Sequence, residues 1–132
     1  FKQIRENFME DQLYKGGDIK QLKNSLVKNN ILVLLSDQDA KKKGVTAKFF
    51  GINSSTHSGA AILSKRNKSP IVYASITKIN NVYQIEFVEI DSSGRIDDIV
   101  QQYTTEIEKT IIKHPEQYFW FHKRWKSVRE YQ

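Results

Sequence analysis

Ile31-Leu32-Val33-Leu34-Leu35-Ser36-Asp37-Gln38-Asp39-Ala40 passes from five consecutive apolar residues straight into a polar loop. A short unbroken apolar run predicts a strand over Ile31–Ser36, covered on both faces as in a parallel α/β sheet. Residues 37–55 are expected to form a long polar loop, a length at which loops without structure of their own are usually functional or disordered. Ligands of open α/β sheets bind at the C-terminal ends of strands. Two carboxylates one residue apart at such a place can cap backbone N–H groups, orient an arginine or hold a cation. A plain Asx-turn is the simpler reading of the same residues.

Working outward, residues 1–9 read as helix, with Phe1, Ile4 and Phe8 on one face, and Gln12-Leu13-Tyr14 as a short strand. Gly16-Gly17 breaks it, and Asp18 can cap a helix over 19–29 whose buried stripe is Ile19, Leu22 and Leu26. Downstream, a helix is expected from Thr56 to Asn67, with Ala60, Ala61 and Leu63 inward. Pro70 opens a strand over Ile71–Thr77. Asn80-Asn81 then makes a tight turn into Val82–Ile90, since Asn tolerates positive φ. Ile96, Ile99, Val100, Tyr103, Ile107 and Ile111 mark an amphipathic helix over 96–113, and Pro115 suits the first turn of an aromatic-rich helix. The order β, α, β, α, β, β, α, α predicts an α/β fold: a mostly parallel sheet ending in a hairpin, flanked by helices.

Composition bounds the function. At 132 residues, 39% hydrophobic and 27% charged, the chain fits one globular domain rather than a disordered or fibrous segment. No apolar run approaches the roughly 18 residues of a membrane span, and Phe1-Lys2-Gln3-Ile4-Arg5 does not read as a secretory signal. With no cysteine, disulfides and thiolate metal sites are excluded. The net charge of +6 favours anionic partners: nucleic acid, an anionic leaflet, or phosphorylated or acidic-carrier substrates. Sign alone does not choose among them.

Lys41-Lys42-Lys43 is either a solvated turn or an anion attractor. Thr56 to Ala61, as a helix start, offers N–H groups to an anion or is simply capped by Ser54, Ser55 or Thr56. Gln117-Tyr118-Phe119-Trp120-Phe121-His122-Lys123-Arg124-Trp125-Lys126 interleaves aromatics with bases. Such a segment can stack on nucleic-acid bases, lie at a membrane interface, or dock on the protein's own core.

Asp37-Gln38-Asp39, Gly44-Val45 and Phe49-Phe50-Gly51 come in that order, followed by His114-Pro115-Glu116-Gln117-Tyr118, Trp120, His122, Arg124 and Lys126. Together they resemble the lipid A biosynthesis acyltransferases, lauroyl/myristoyl type, of the lysophospholipid acyltransferase superfamily. Lys48 stands where that family usually has Pro, and Met9 stands where a Gly usually follows the Arg5-Glu6-Asn7-Phe8 segment. The family's His-x4-Asp/Glu motif is missing, because His57, His114 and His122 are followed five positions later by Ile62, Phe119 and Ser127.

The resemblance implies transfer of a fatty acyl group from acyl carrier protein to a hydroxyl of a lipid A precursor or related glycolipid. It makes residues 1–132 one partial acyltransferase domain, the C-terminal portion: helix tail and short strand at 1–17, sheet core at 18–94, C-terminal helices at 95–132. No catalytic residue, metal or cofactor is implied in this chain, which is expected to be inactive alone. Arg5, Asp37, Gln38, Asp39, Phe49, Phe50, Gly51 and Thr56 are the implied substrate-binding residues, and Lys41, Lys42 and Lys43 the implied phosphate attractors. Trp120, His122, Arg124 and Trp125 are implied in membrane or core docking. The Pro70-Ile71-Val72-Tyr73 strand resembles the family's apolar fourth block, a wall without chemistry. The implied setting is the cytoplasmic face of the bacterial inner membrane, peripheral or anchored by a preceding segment, against an anionic surface. Apolar surface left uncovered by a missing half would favour a homodimer. A basic α/β nucleic-acid-binding module is the alternative, without a recognised signature to support it.

Overall fold

The computed structural model describes residues 19–130. The helix expected over 1–9, the strand at 12–14, the Asp18 cap and Arg5 lie outside the described residues. The chain divides into two compact units, residues 1–33 and 34–132.

In the first unit, α1 spans Ile19–Val27, two residues shorter than expected. Leu22 and Leu26 are half-buried while Lys20, Gln21, Lys23 and Asn24 are exposed, the one-sided pattern their spacing dictates. Asn29, at φ 61°, ends the helical path.

The expected strand over Ile31–Ser36 does not form: these residues adopt no strand, and Ile31 and Leu35 are 91% and 80% exposed. A strand exists only through a neighbour's backbone, and no strand pairs with this run among the described residues.

The second unit contains β1 (Val45–Phe49), β2 (Ile52–Thr56), α2 (Gly59–Asn67), β3 (Ile71–Ile79), β4 (Val82–Ile90) and α3 (Ile96–Lys113), with 3-10 turns at Lys41–Lys43 and Pro115–Gln117. Its two sheets, β1-β2 and β3-β4, are each two-stranded and antiparallel, which corrects the mostly parallel sheet. The reason lies in the turns. Phe50 and Gly51 have φ of 50° and 73°, and Asn80 and Asn81 have 49° and 64°. Two successive positive-φ residues make the two-residue hairpin that returns the chain at once. The Asn80-Asn81 turn was legible; the one inside residues 37–55 was not. The helix expected from Thr56 begins instead at Gly59, and Thr56 ends β2. Pro115 starts three residues of 3-10 helix, not a long aromatic helix.

The α3 helix is the spine of this unit. Ile99, Val100 and Tyr103 join Ala47, Ala61 and Ile90 in one core cluster. One to two turns further on, Ile107 and Ile111 join Phe49, with Tyr73, Tyr118 and Trp125 packed around them. Asp98 accepts from the Arg95 N–H at 3.2 Å and closes the helix start.

Three glutamines treat backbone as a partner strand would, two on strands and one just beyond the end of β4. Gln101 accepts from Lys48 N–H at 2.8 Å and donates to Lys48 C=O at 3.0 Å. Gln117 does the same to Lys78 at 2.7 and 3.1 Å, and Gln102 to Asp91 at 3.1 Å in both directions. A side-chain amide carries one donor and one acceptor group at peptide spacing, so it occupies an edge that would otherwise template another strand. The Gln117 pair also ties the C-terminal segment to β3.

Candidate functional site

The Asp-Gln-Asp loop, the β1–β2 hairpin and the C-terminal segment meet around Asp39. The loop lies along β2 through an antiparallel bridge of Asp39 to Thr56 and an Ala40 N–H bond to Ser55 C=O at 3.1 Å. Asp39 is buried. Its Oδ1 accepts from Lys41 N–H at 2.8 Å and from the Ser127 hydroxyl at 2.6 Å, and its Oδ2 accepts from Ser127 N–H at 3.4 Å. Its own N–H donates to His122 Nε2 at 2.9 Å. One residue thus fastens a turn two residues away and a segment more than eighty residues away. Asp37 contributes its carbonyl, which accepts from the Tyr118 hydroxyl at 3.1 Å. The Asp37 carboxylate, half-buried, takes no hydrogen bond or ion pair among the described residues.

Arg124 is the largest fully buried side chain among the described residues, 2% exposed. Its guanidinium donates to Ser55 C=O and to Thr56 Oγ1, both at 2.7 Å, and lies 5.0 Å from the Phe49 ring centroid. Thr56 Oγ1 in turn stands 3.4 Å from Ser54 Oγ, which donates to Ala47 C=O at 3.1 Å. Of the three hydroxyl residues read as helix caps, Ser54 and Thr56 therefore form a buried polar ladder along β2 that Arg124 closes, while the Ser55 hydroxyl donates to Lys41 C=O. Burying polar groups is costly unless they are partnered, and the ladder partners both terminal nitrogens of Arg124, though not its Nε. Trp125 packs on Phe49 at 5.5 Å and donates to its carbonyl at 3.3 Å.

Gly44-Val45 and Phe49-Phe50-Gly51 acquire physical meanings here. A Cβ on Gly44 would lie 2.2 Å from Ser55 Oγ, 2.7 Å from Ala40 Cβ and 2.8 Å from Thr56 C=O, so only glycine fits. Phe49 is fully buried, while Phe50 and Gly51 are the turn. Phe50 N–H is held by Glu108 Oε1 at 2.6 Å, binding the turn to α3.

The sequence-identified residues therefore divide. Asp37, Asp39, Phe49, Thr56, His122, Arg124 and Trp125 come together. Gln38 and the side chains of Lys41, Lys42 and Lys43 face solvent beside them. Trp120 stands outside the core, half-exposed, its indole donating to Pro115 C=O at 2.7 Å. Sequence reasoning gave Ser127 no role, read Ser55 only as a possible helix cap and placed Tyr118 in the aromatic segment without a partner, since a single hydroxyl carries no signal until its partner is known. His57 is not part of this constellation; its carbonyl accepts from the Tyr103 hydroxyl, whose pKa burial pushes up.

Electrostatics make the Asp39 clasp acid-sensitive. Burial alone would raise the Asp39 carboxyl. The donors Ser127 and Lys41 and the nearby Arg124 charge outweigh it and hold the group below its ordinary range. Burial also lowers His122, helped by the Lys126 charge and opposed by Asp39 and Asp37. An accepting Nε2 requires the neutral ring. Both groups bind fewer protons folded than unfolded, so their stabilisation is present at high pH and lost as pH falls. The His122 contribution fades below about 6.5 and that of Asp39 below about 3.9. We expect Trp125 fluorescence to report loosening in two acid steps. In His122→Gln, whose amide oxygen accepts without titrating, the upper step should vanish. Identical profiles for the two proteins would contradict the assignment.

Among the described residues no group of three or more His, Asp or Glu is placed to hold a metal ion, and no helix is long and apolar enough to cross a membrane. No curated protein matches the chain. The family model described as bacterial lipid A biosynthesis acyltransferase matches residues 1–127, spanning both motif regions and everything between them. The chain belongs to the bacterial lipid A biosynthesis acyltransferase family.

Proposed function

We propose that this chain is the substrate-side portion of an enzyme that moves a fatty acyl group from acyl carrier protein to a hydroxyl of a lipid A precursor or related glycolipid, at the cytoplasmic face of the bacterial inner membrane. In that reaction the acceptor oxygen attacks the thioester carbonyl, the C–S bond breaks and the carrier thiol leaves. A His removes the acceptor proton while a carboxylate orients it. The His-x4-Asp/Glu pair is absent from the 132 residues, and the Nε2 lone pair of His122 is already occupied by Asp39 N–H. The chain therefore positions substrate, and a preceding segment of the same polypeptide supplies the base.

The observation that carries this reading is the unequal use of the two loop carboxylates. Asp39 is consumed by the clasp, whereas Asp37 is held in place through its backbone with its carboxylate uncommitted among the described residues. A fixed backbone presenting an unused charge is the arrangement a binding group needs. Asp37 and Gln38 contact the acceptor. Phe49, Phe50, Gly51 and Thr56 act by holding the hairpin under the loop. Lys41, Lys42, Lys43 and Arg5 attract and bind phosphate, Arg5 by its planar fork.

The test is acyl transfer from acyl carrier protein to lipid A precursors. The polypeptide that includes the His-x4-Asp/Glu element should turn over, and the 132 residues alone should not. Turnover by the 132 residues alone would overturn the assignment of the base to another segment.

A further inference from the structure

The C-terminal segment projects three successive large aromatics into solvent. Phe119, Trp120 and Phe121 are 61%, 50% and 89% exposed. Their exposure is built in, because both flanks are fastened. On one side Gln117 grips Lys78 and the Tyr118 hydroxyl grips Asp37 C=O; on the other His122 meets Asp39 N–H and Arg124 is buried in β2. The tip itself has a set shape. Trp120 is tied to Pro115 and stacks edge-on to Tyr118 at 4.9 Å, and the Phe119 and Phe121 rings lie 5.9 Å apart. A floppy tail would fold such rings away; this one cannot.

The chemistry around the tip is one-sided. Residues 117–129 and 40–50 contain no acidic residue. Asp39 joins the two stretches, accepting from Lys41 N–H and the Ser127 hydroxyl on the same oxygen. The exposed Lys41, Lys42 and Lys43 therefore lie beside the exposed Lys126 and Arg129, a basic surface that neither segment makes alone. The carboxylates that adjoin it are Asp39, buried and committed, Asp37, Glu108 on the Phe50 N–H, Glu116 at the foot of the tip and the exposed Glu130 next to Arg129, fewer than the bases they face.

Aromatics on a fixed protrusion with cations around its base match one partner: a bilayer whose headgroups are anionic. Rings of this kind settle at the headgroup boundary, and each adjacent lysine or arginine adds attraction to phosphate. We propose that Phe119, Trp120 and Phe121 insert into the headgroup layer of an anionic bilayer, while Lys41–Lys43, Lys126 and Arg129 contact the surrounding lipid phosphates. This deepens the membrane setting of the proposed function by naming the element that enters the lipid. Its test reads binding without acyl transfer, so the two can fail separately.

The 132-residue chain is mixed with vesicles of phosphatidylcholine, with and without phosphatidylglycerol, and bound protein is separated by flotation. Binding should require phosphatidylglycerol. Phe119→Ser plus Phe121→Ser should weaken it by about tenfold or more, the effect of withdrawing buried ring surface. Lys41→Gln plus Lys42→Gln should weaken it several-fold, and 0.5 M salt should do the same. Brominated lipid should quench Trp120, measured in Trp125→Phe, and leave Trp125 bright in Trp120→Phe. Unchanged flotation of the Phe119→Ser, Phe121→Ser protein, or an unquenched Trp120, overturns the proposal. So does loss of self-association in that variant, by sedimentation velocity, without loss of vesicle binding, which would assign the tip to a second copy of the chain. Equal flotation on neutral vesicles, with salt-sensitive binding to random oligonucleotides, would assign the bases to nucleic acid and also overturn it.

Discussion

Arg124→Met should lower the stability of the second unit by about 1–3 kcal/mol, the range for leaving buried hydrogen-bonding groups unsatisfied. The replaced guanidinium fills a site 2% exposed and makes two bonds of 2.7 Å to β2, so the substitution leaves Thr56 Oγ1 short of a donor and weakens the satisfaction of Ser55 C=O. It also removes the cation over Phe49 and the positive charge that helps to keep Asp39 ionised. Methionine keeps most of the volume, so the loss reports polar partners more than a cavity. Because Asp39 and Trp125 depend on the same segment, Trp125 should become exposed at lower denaturant than in the wild type. Arg124→Lys should recover only part of the loss, since a single ammonium does not reproduce the two-pronged fork. Full stability in Arg124→Lys would show that charge alone, without geometry, holds the segment.

Gly44→Ala should be nearly as damaging, for a steric reason. Its φ of −84° is ordinary for any residue, so no conformational strain enters. The added methyl would meet Ser55 Oγ at 2.2 Å and two further atoms under 3.0 Å, one of them backbone. Overpacking at such a site costs about 1–3 kcal/mol or more, and here it would push the Asp-Gln-Asp loop off β2. Adding Ser55→Ala removes the closest clash and leaves the other two, so the double variant should regain part of the stability, as read by urea unfolding. Gly51→Ala provides the contrast. Nothing lies within 4 Å of its Cβ position, and only its φ of +73° opposes the methyl, a penalty of about 1 kcal/mol. A Gly44→Ala protein more stable than Gly51→Ala would refute the close approach of loop and hairpin.

Features decided locally were legible in the sequence. The α3 boundaries follow from six apolar residues in helical register and the polar turn before them, and Asn80-Asn81 declares a hairpin by its tolerance of positive φ. Features decided by a distant partner were not. Ile31–Leu35 has strand composition, yet strand state belongs to a pair of segments. Phe50-Gly51 escaped notice as a turn because phenylalanine rarely accepts φ near +50°; its N–H bond to Glu108 and the closed β1–β2 ladder hold it there. Ser54-Ser55-Thr56 looked like caps since hydroxyls near a helix start usually are, and only Arg124, 68 residues from Thr56, reveals Ser54 and Thr56 as a ladder. The motif order pointed to the right family, but the unequal hydrogen bonding of Asp37 and Asp39 needed the Ser127 hydroxyl in place.

The division of labour proposed for these two residues is the claim most open to direct test. In the polypeptide that carries the His-x4-Asp/Glu element, acyl transfer from acyl carrier protein to a lipid A precursor is measured for Asp37→Asn and Asp39→Asn beside urea unfolding of each. Asp37→Asn should lose at least about tenfold in transfer, the scale of one charged contact, with its unfolding midpoint unchanged. Asp39→Asn should lower the midpoint and, where still folded, keep most of its transfer. Full transfer by Asp37→Asn, or the reverse division of effects between the two variants, would contradict the account.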